Sequence, residues 1–273
     1  VSGVQIIATQ NIDPRSASTP DTITDGFEST FTPVLGHEVH ALVSKKAFDQ
    51  SRERIVLMHG ATASRRYLVP TALLLAQHLE VFVPEMPGHG ASSKPAHALK
   101  VQEQADVIYE WMQLNDLDES YVFANSYGCQ IAAAMSAKYP DVAKKLILTG
   151  PTCDPAARTV WQQFLRLHDD GKHEPQGSQM QLFADLGDMG WTITFETVHE
   201  MVNNDIQKVL SQIRCPTLVM RGEFDTIAPE EWTKKVASEI PNAIFKTVPN
   251  GSHSVNFSNP AILTKMVMEF ITS

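Results

Sequence analysis

Two short, almost wholly apolar runs constrain this chain most: "RIVLMHG" (Arg54 to Gly60) and "EVFVPEMPG" (Glu80 to Gly88), each ending in turn residues. A strand wet on one face would alternate polar and apolar residues, so such runs predict parallel strands buried on both faces. Covering both faces takes helices, and the intervening segments supply them. "VPTALLLAQHL" suits a crossover helix, and Val101, Ala105, Ile108, Trp111 and Met112 fall at helical spacing between Val101 and Leu114. The alternation continues with the strand "SYVFAN", a helix from Gly128 to Tyr139 and the strand "KKLILTG". It then resumes with "PTLVMRG", a helix from Pro229 to Ile240, the strand "AIFKTVP" and a terminal helix from Asn259. Strands alternating with helices predict an α/β fold with a mostly parallel sheet. Ahead of this rhythm, "GFESTFTPV" and "HEVHALVSKKA" read as two further strands, and Val1 to Asp25 as an irregular leader.

The rhythm breaks once. Between Gly150 and Arg214 lie about sixty residues with helical patterns such as "ARTVWQQFLRLHDD" and "TFETVHEMVNNDIQKVL", without a convincing strand pair. An insertion after a strand's carboxyl end sits over the edge where ligands bind in α/β sheets. Residues 151–212 are therefore expected to form a helical cap, with 26–150 and 213–273 as the core domain. Trp161, Phe164 and Trp191 are expected on the wall of an apolar pocket, among a group that includes Leu165, Phe183 and Met189.

A formal charge of -9 without a long basic run argues against a nucleic-acid surface and for a small-molecule substrate. No apolar run reaches the length of a membrane span. The three cysteines, Cys129, Cys153 and Cys215, are an odd number without a CxxC pair, which fits a reducing compartment, and the expected location is cytoplasmic. "VSGVQIIATQNIDPRSASTPD" lacks the features of a secretory signal; it also lacks an initiating Met, which leaves N-terminal processing open. Oligomeric state is not legible.

One serine stands out at the seam of a strand and a helix. In "YVFANSYGCQIAAA", Ser126 is flanked by Ala124 two residues before and Gly128 two after. Small residues there permit a sharp strand-to-helix elbow that lifts the serine hydroxyl above the sheet, the G-x-S-x-G pattern with Ala for the first Gly. Without that elbow, Ser126 would be an ordinary helix N-cap.

A serine hydroxyl needs a base within reach and a third group to orient that base. Asp225 follows "TLVMRGEF" and His253 follows "AIFKTVPNGS", so both lie at carboxyl ends of strands on the edge that holds Ser126. Glu223 is the rival acid, less suited because Asp225 falls in the turn itself. For the oxyanion, "LMHGATAS" offers the backbone N–H of Ala61, paired with that of Tyr127 after the nucleophile. His59 is read as bracing that loop.

With these pieces in place, the chain resembles the α/β-hydrolase superfamily from about Gly26 to its C-terminus, through "HGATAS", "PEMPGHGASSKP", "ANSYGCQIA", "LILTGPTCDPAAR", "RGEFDTIAPEEW" and "GSHSVNFSNP". "GCQIA", "GPTCDP" and "HSVNFSNP" are similar to a large bacterial branch of that superfamily. The resemblance implies an eight-stranded sheet with helices on both faces, a nucleophile at Ser126, an acid at Asp225, a base at His253, and a cap between the sixth and seventh strands. Ala124 departs from the family's usual glycine, and Glu85 stands where "DxPGxG" members carry Asp.

The expected activity is that of a cofactor-independent, carboxylesterase-like serine hydrolase acting on an ester, thioester or lactone of a small to medium apolar acid. A neutral base near the ordinary histidine pKa predicts that activity declines below about pH 6. Relatives that dehalogenate or open epoxides carry Asp as nucleophile, which Ser126 excludes here. Relatives that hydrolyse C–C bonds in meta-cleavage products usually carry Trp after the histidine, where this chain has Ser254. That chemistry is the first alternative; the second is a small-molecule receptor of this fold, which an exposed apolar patch on the cap would favour. "HEVH" spaces its histidines three apart in a strand, so they point to opposite faces and no metal is expected. "GHGASS" lacks the third glycine of a dinucleotide site, Cys129 reads as a small buried residue, and His168, His173 and His199 as solvated.

Overall fold

The computed structural model describes residues 26–45 and 53–273, so the leader expected over residues 1–25 lies outside the described residues. The strands are β1 (Phe27–Val34), β2 (His37–Ser44), β3 (Arg54–Met58), β4 (Glu80–Pro84), β5 (Ser120–Asn125), β6 (Ala143–Thr149), β7 (Thr217–Gly222) and β8 (Ala243–Val248). They form one eight-stranded sheet in the order β1-β2-β4-β3-β5-β6-β7-β8. β1 and β2 make an antiparallel hairpin, β2 is antiparallel to β4, and every other neighbouring pair is parallel. The hairpin turns at Leu35 and Gly36 with φ of 47° and 82°. Positive φ at both central residues gives a turn whose twist matches that of the strands.

The helices are α1 (Val69–Leu75), α2 (Val101–Leu114), α3 (Tyr127–Lys138), α4 (Val160–Asp170), α5 (Gln176–Met189), α6 (Trp191–Asn203), α7 (Gln207–Leu210), α8 (Glu230–Glu239), α9 (Val255–Ser258) and α10 (Pro260–Ile271). β4, β5 and β7 are buried along their whole length, and alternate residues of the sheet feed two separate cores. On one face Val56, Met58, Val122 and Ala124 pack with Ile108 and Trp111 of α2 and with Ile131 and Met135 of α3. On the other, Ile55, Leu57, Tyr121 and Phe123 pack with Ala72 and Leu75 of α1 and with Leu263 and Val267 of α10. With apolar cover on both sides the residues of the inner strands β4, β5 and β7 face no water, which is why their runs do not alternate.

Ser126, Asp225 and His253 follow β5, β7 and β8, so three loops at the carboxyl edge of the sheet carry the three expected residues. Between β6 and β7 the chain leaves the sheet for α4 to α7. These helices expose large apolar side chains, among them Trp161, Met180, Phe183, Trp191 and Phe195. Among the described residues no helix is long and apolar enough to cross a membrane.

Candidate active site

Ser126 joins β5 to α3 with φ 58° and ψ −123°, a backbone conformation that is costly for any residue with a Cβ. The neighbours hold it there. A Cβ on Gly128 would stand 2.6 Å from the carbonyl oxygen of His59 and 3.0 Å from that of Met58, so glycine alone lets α3 begin against β3. The Ser126 N–H donates to the carbonyl of Thr149 at 2.9 Å, and the Asn125 amide donates to the same oxygen at 3.2 Å. Cys129, one residue beyond Gly128, is fully buried, and burial pushes its thiol well above the ordinary range. It is a packing residue with no thiolate to offer.

His253 Nδ1 lies 3.0 Å from Asp225 Oδ2. A carboxylate can only accept, so Nδ1 carries a proton, and in the neutral imidazole Nε2 keeps its lone pair. The other carboxylate oxygen of Asp225 accepts from the N–H groups of Ile227 and Ala228 at 2.9 and 2.8 Å. Arg221 braces the turn, donating to the carbonyls of Asp225 and Ala228 at 2.6 and 3.0 Å. Glu223 is turned away from the imidazole and accepts from the Asn250 N–H at 2.8 Å. The Asn125 amide reaches the carbonyl of His253 at 3.3 Å and so ties the loop of His253 to β5.

The loop after β3 is braced from several sides. The Gly60 N–H donates to the Tyr67 hydroxyl at 2.7 Å, and that hydroxyl donates to Asn125 Oδ1 at 2.8 Å. His59 is buried, accepts from the Met86 N–H at its Nε2 (3.1 Å), and is pushed down to about 3 by burial and by neighbouring His89. It therefore stays neutral and braces. His89 Nε2 donates to the carbonyl of Ala61 at 2.8 Å. Ala61 lines the cavity beside Ser126, while Tyr127 is the first residue of α3, where an N–H has no acceptor within its own helix. Glu85, the departure noted in the sequence, is fully buried. It binds Arg65 at 2.8 Å, His40 Nδ1 at 2.9 Å and the Ala91 N–H at 2.7 Å. His40 of "HEVH" is thus a hydrogen-bond partner of Glu85 in the sheet, with Ser29 on its other nitrogen.

A cavity of about 440 Å³ opens over these loops. Ser126, His253, Ala61, Tyr67 and Asn125 line its floor, and Phe164, Leu167, His168 and Asp170 of α4, Glu174 of the following turn, and Phe183 and Asp185 of α5 its other walls. The structure brings Phe164 to the wall, while Trp161 stacks on Phe164 at 5.6 Å between ring centroids. Trp191 is 84% exposed and stands outside the residues lining the cavity. His168, read as solvated, lines the cavity; His173 stacks on Phe224 at 5.0 Å.

Asp170 escaped the sequence reading. It is buried at the end of α4, where its carboxyl accepts from the His253 N–H at 3.1 and 3.3 Å. A carboxylate at a helix C-terminus opposes the helix dipole, and "HDD" followed by Gly171 was the one available signal that this acid has work elsewhere. Its presence changes the expectation for pH. Burial pushes the His253 imidazole down, but the carboxyls of Asp225, Asp170 and Glu174 outweigh burial and raise it to about 9. An acid limb set by this imidazole would therefore fall at higher pH than the value near 6 expected for an ordinary histidine.

The family model described as "Alpha/beta hydrolase family" matches residues 55–265. The chain belongs to this family. It is 26% identical over 216 residues to Lipase 3 of a Moraxella species, covering 70% of this chain and 68% of that one. It is 25% identical over 235 residues to (E)-2-((N-methylformamido)methylene)succinate hydrolase of Acinetobacter baylyi, covering 78% and 88%. Among solved structures, the enol-lactonase from Burkholderia xenovorans superposes with a TM-score of 0.72 at 18% identity, covering 89% of this chain and 100% of that one.

Proposed function

We propose that this chain is a serine hydrolase that cleaves an ester, thioester or lactone of a small to medium apolar acid. The observation that carries the reading is Ser126, held at positive φ on the floor of a cavity that also contains His253 in contact with Asp225. His253 takes the proton of Ser126 as the hydroxyl attacks the carbonyl carbon. Asp225 fixes the tautomer and balances the imidazolium that forms. The N–H groups of Ala61 and Tyr127 receive the developing oxyanion. The tetrahedral intermediate collapses with the protonated imidazole giving its proton to the leaving group, and water then attacks the acyl-enzyme by the same route in reverse. Phe164, Leu167 and Phe183 offer apolar contact to an acyl chain. The hydrolase and lipase names of the relatives support the reaction class, and the enol-lactonase match supports the fold alone.

The test is intact-mass analysis after fluorophosphonate treatment of wild type and Ser126→Ala, followed by an ester panel of increasing acyl length. One adduct, lost in the variant, supports the reading; a folded wild type without an adduct sinks it. A receptor is favoured by one observation, the exposed Trp161, Met180, Phe183, Trp191 and Phe195 of the inserted helices. Tight binding of a small ester with turnover far below binding exchange, and ligand-dependent capture of a partner, would point there.

A further inference from the structure

The loop of His253 is held by the insertion as well as by the sheet. Two consecutive N–H groups of that loop end on two carboxyls of one short segment. The His253 N–H goes to Asp170 at 3.1 and 3.3 Å, and the Ser254 N–H goes to Glu174 Oε1 at 2.7 Å. The same end of α4 also grips the acid loop. The Thr226 N–H approaches Asp170 Oδ1 at 3.4 Å, the Thr226 hydroxyl donates to the carbonyl of Arg166 at 2.8 Å, and Arg166 donates to the carbonyl of Ile227 at 3.2 Å. Both loops that carry the histidine and its orienting acid are therefore fastened to one helix terminus outside the sheet.

The two carboxyls also face the imidazole, and the nearby cations are engaged elsewhere. Arg166 pairs with Asp154 at 2.7 Å, Lys172 with Asp169 at 2.6 Å, and His173 stacks on Phe224. His168 lines the cavity. What remains around His253 is Asp225 from the loop after β7, with Asp170 and Glu174 from α4 and its following turn. Burial drives the Asp170 carboxyl up to about 7, with His253 pulling it back and Asp225 and Glu174 adding to the rise.

We propose that Asp170 and Glu174 are positioning residues for His253, holding its loop by consecutive backbone hydrogen bonds and setting its basicity through the field of their carboxyls. This rests on the serine-hydrolase reading only for its effect on rate; the effect on the imidazole stands without it. Seating of α4 then completes the base: with the helix displaced, the loop loses two acceptors and the imidazole two facing carboxyls.

The test uses the full chain with Asp170→Asn, Glu174→Gln and Asp170→Ala, each measured two ways. The His253 imidazole is titrated by NMR with labelled histidine, assigned with a His253→Gln variant, and the rate of fluorophosphonate labelling at Ser126 is followed against pH. Asparagine keeps an oxygen for the His253 N–H, so Asp170→Asn should leave the loop in place and lower the imidazole midpoint by about one unit or more. The acid limb of labelling should move by the same amount. Asp170→Ala should in addition slow labelling at its pH optimum by on the order of tenfold, as expected for loss of a supporting hydrogen bond. Should the alanine variant not fold, the asparagine variant decides. A His253 midpoint in Asp170→Asn and Glu174→Gln equal to that of wild type would overturn the proposal. Absence of labelling in wild type would overturn the hydrolase reading instead, and the NMR midpoints would still decide this one.

Discussion

Gly150 lies against the imidazole of His253: a Cβ at its position would stand 3.0 Å from both Cε1 and Nδ1, and 3.1 Å from Asp225 Oδ2. Its φ of 58° adds backbone strain for any side chain. Gly150→Ala is therefore expected to displace the His–Asp pair, lowering kcat on an ester substrate by tenfold or more. The backbone cost in stability is about 1–2 kcal/mol. Gly128→Ala is the useful contrast, because its Cβ meets backbone carbonyls of β3 and its junction. There the loss should fall first on stability, roughly 1–3 kcal/mol by chemical denaturation. Equal effects of the two on kcat and on stability would contradict this division.

The pH dependence has a definite sign. His253 must be neutral to act, and its carboxylate neighbours raise it to about 9. Hence kcat/KM should climb between pH 7 and 9, and a profile already flat above pH 7 would refute the raised imidazole. For stability the raised histidine contributes fully below its unfolded value near 6.5 and loses that contribution as pH rises through about 9. The raised Asp170 keeps a proton in the folded state that the unfolded chain releases, so stability also falls between its ordinary range and about 7. The two titrations are coupled but agree in direction. Buried His59, pushed down to about 3, adds stability as pH rises toward 6.5 and opposes this fall there, so the decrease in urea midpoint is expected between pH 6.5 and pH 9.

Tyr67 is a buried bridge between the loop after β3 and the end of β5. Tyr67→Phe would leave the Gly60 N–H and Asn125 Oδ1 without that partner. Stability should fall by about 1–3 kcal/mol, and kcat should fall more than KM changes, because the loop presenting Ala61 loses its brace. Unchanged kcat with lowered stability would remove Tyr67 from any part in the oxyanion site.

Phe183 is 72% exposed yet lines the cavity. Phe183→Ala should alter stability by no more than about 0.5 kcal/mol. The acyl-length preference across an ester panel should shift toward longer chains. An identical preference in the variant would place the acyl chain elsewhere.

How much of this was readable beforehand depends on how local the cause is. The strands could be read because burial on both faces removes alternation within five or six residues. The elbow could be read because Gly128 has no room for a Cβ, a restriction visible two positions from Ser126. Asp225 and His253 could be read because turn residues after buried strands fall on one edge. Asp170 could not be paired with His253, its partner 83 positions away, since nothing in an amphipathic helix tells which loop its terminal residue will meet. Glu85 could be seen as a departure from the family pattern, but its partners His40 and Arg65 could not, since they lie 45 and 20 positions off. Trp191 shows the converse, an aromatic that suits a pocket wall by type but is turned to the outside.

Asp185 of α5 receives the Ser64 N–H and hydroxyl at 2.8 and 2.7 Å and Arg66 at 2.6 Å, and Arg66 also reaches Asp188 at 2.6 Å. Ser64 and Arg66 sit only a few residues beyond Ala61. The insertion and the sheet are thus keyed to one another by a lock of matched parts. A chimera that transplants the helices of another family member onto this sheet would bring a foreign key, leaving Arg66 and Ser64 unengaged. Exchange of specificity by grafting therefore calls for residues 64–66 to travel with residues 160–203 as a single cassette.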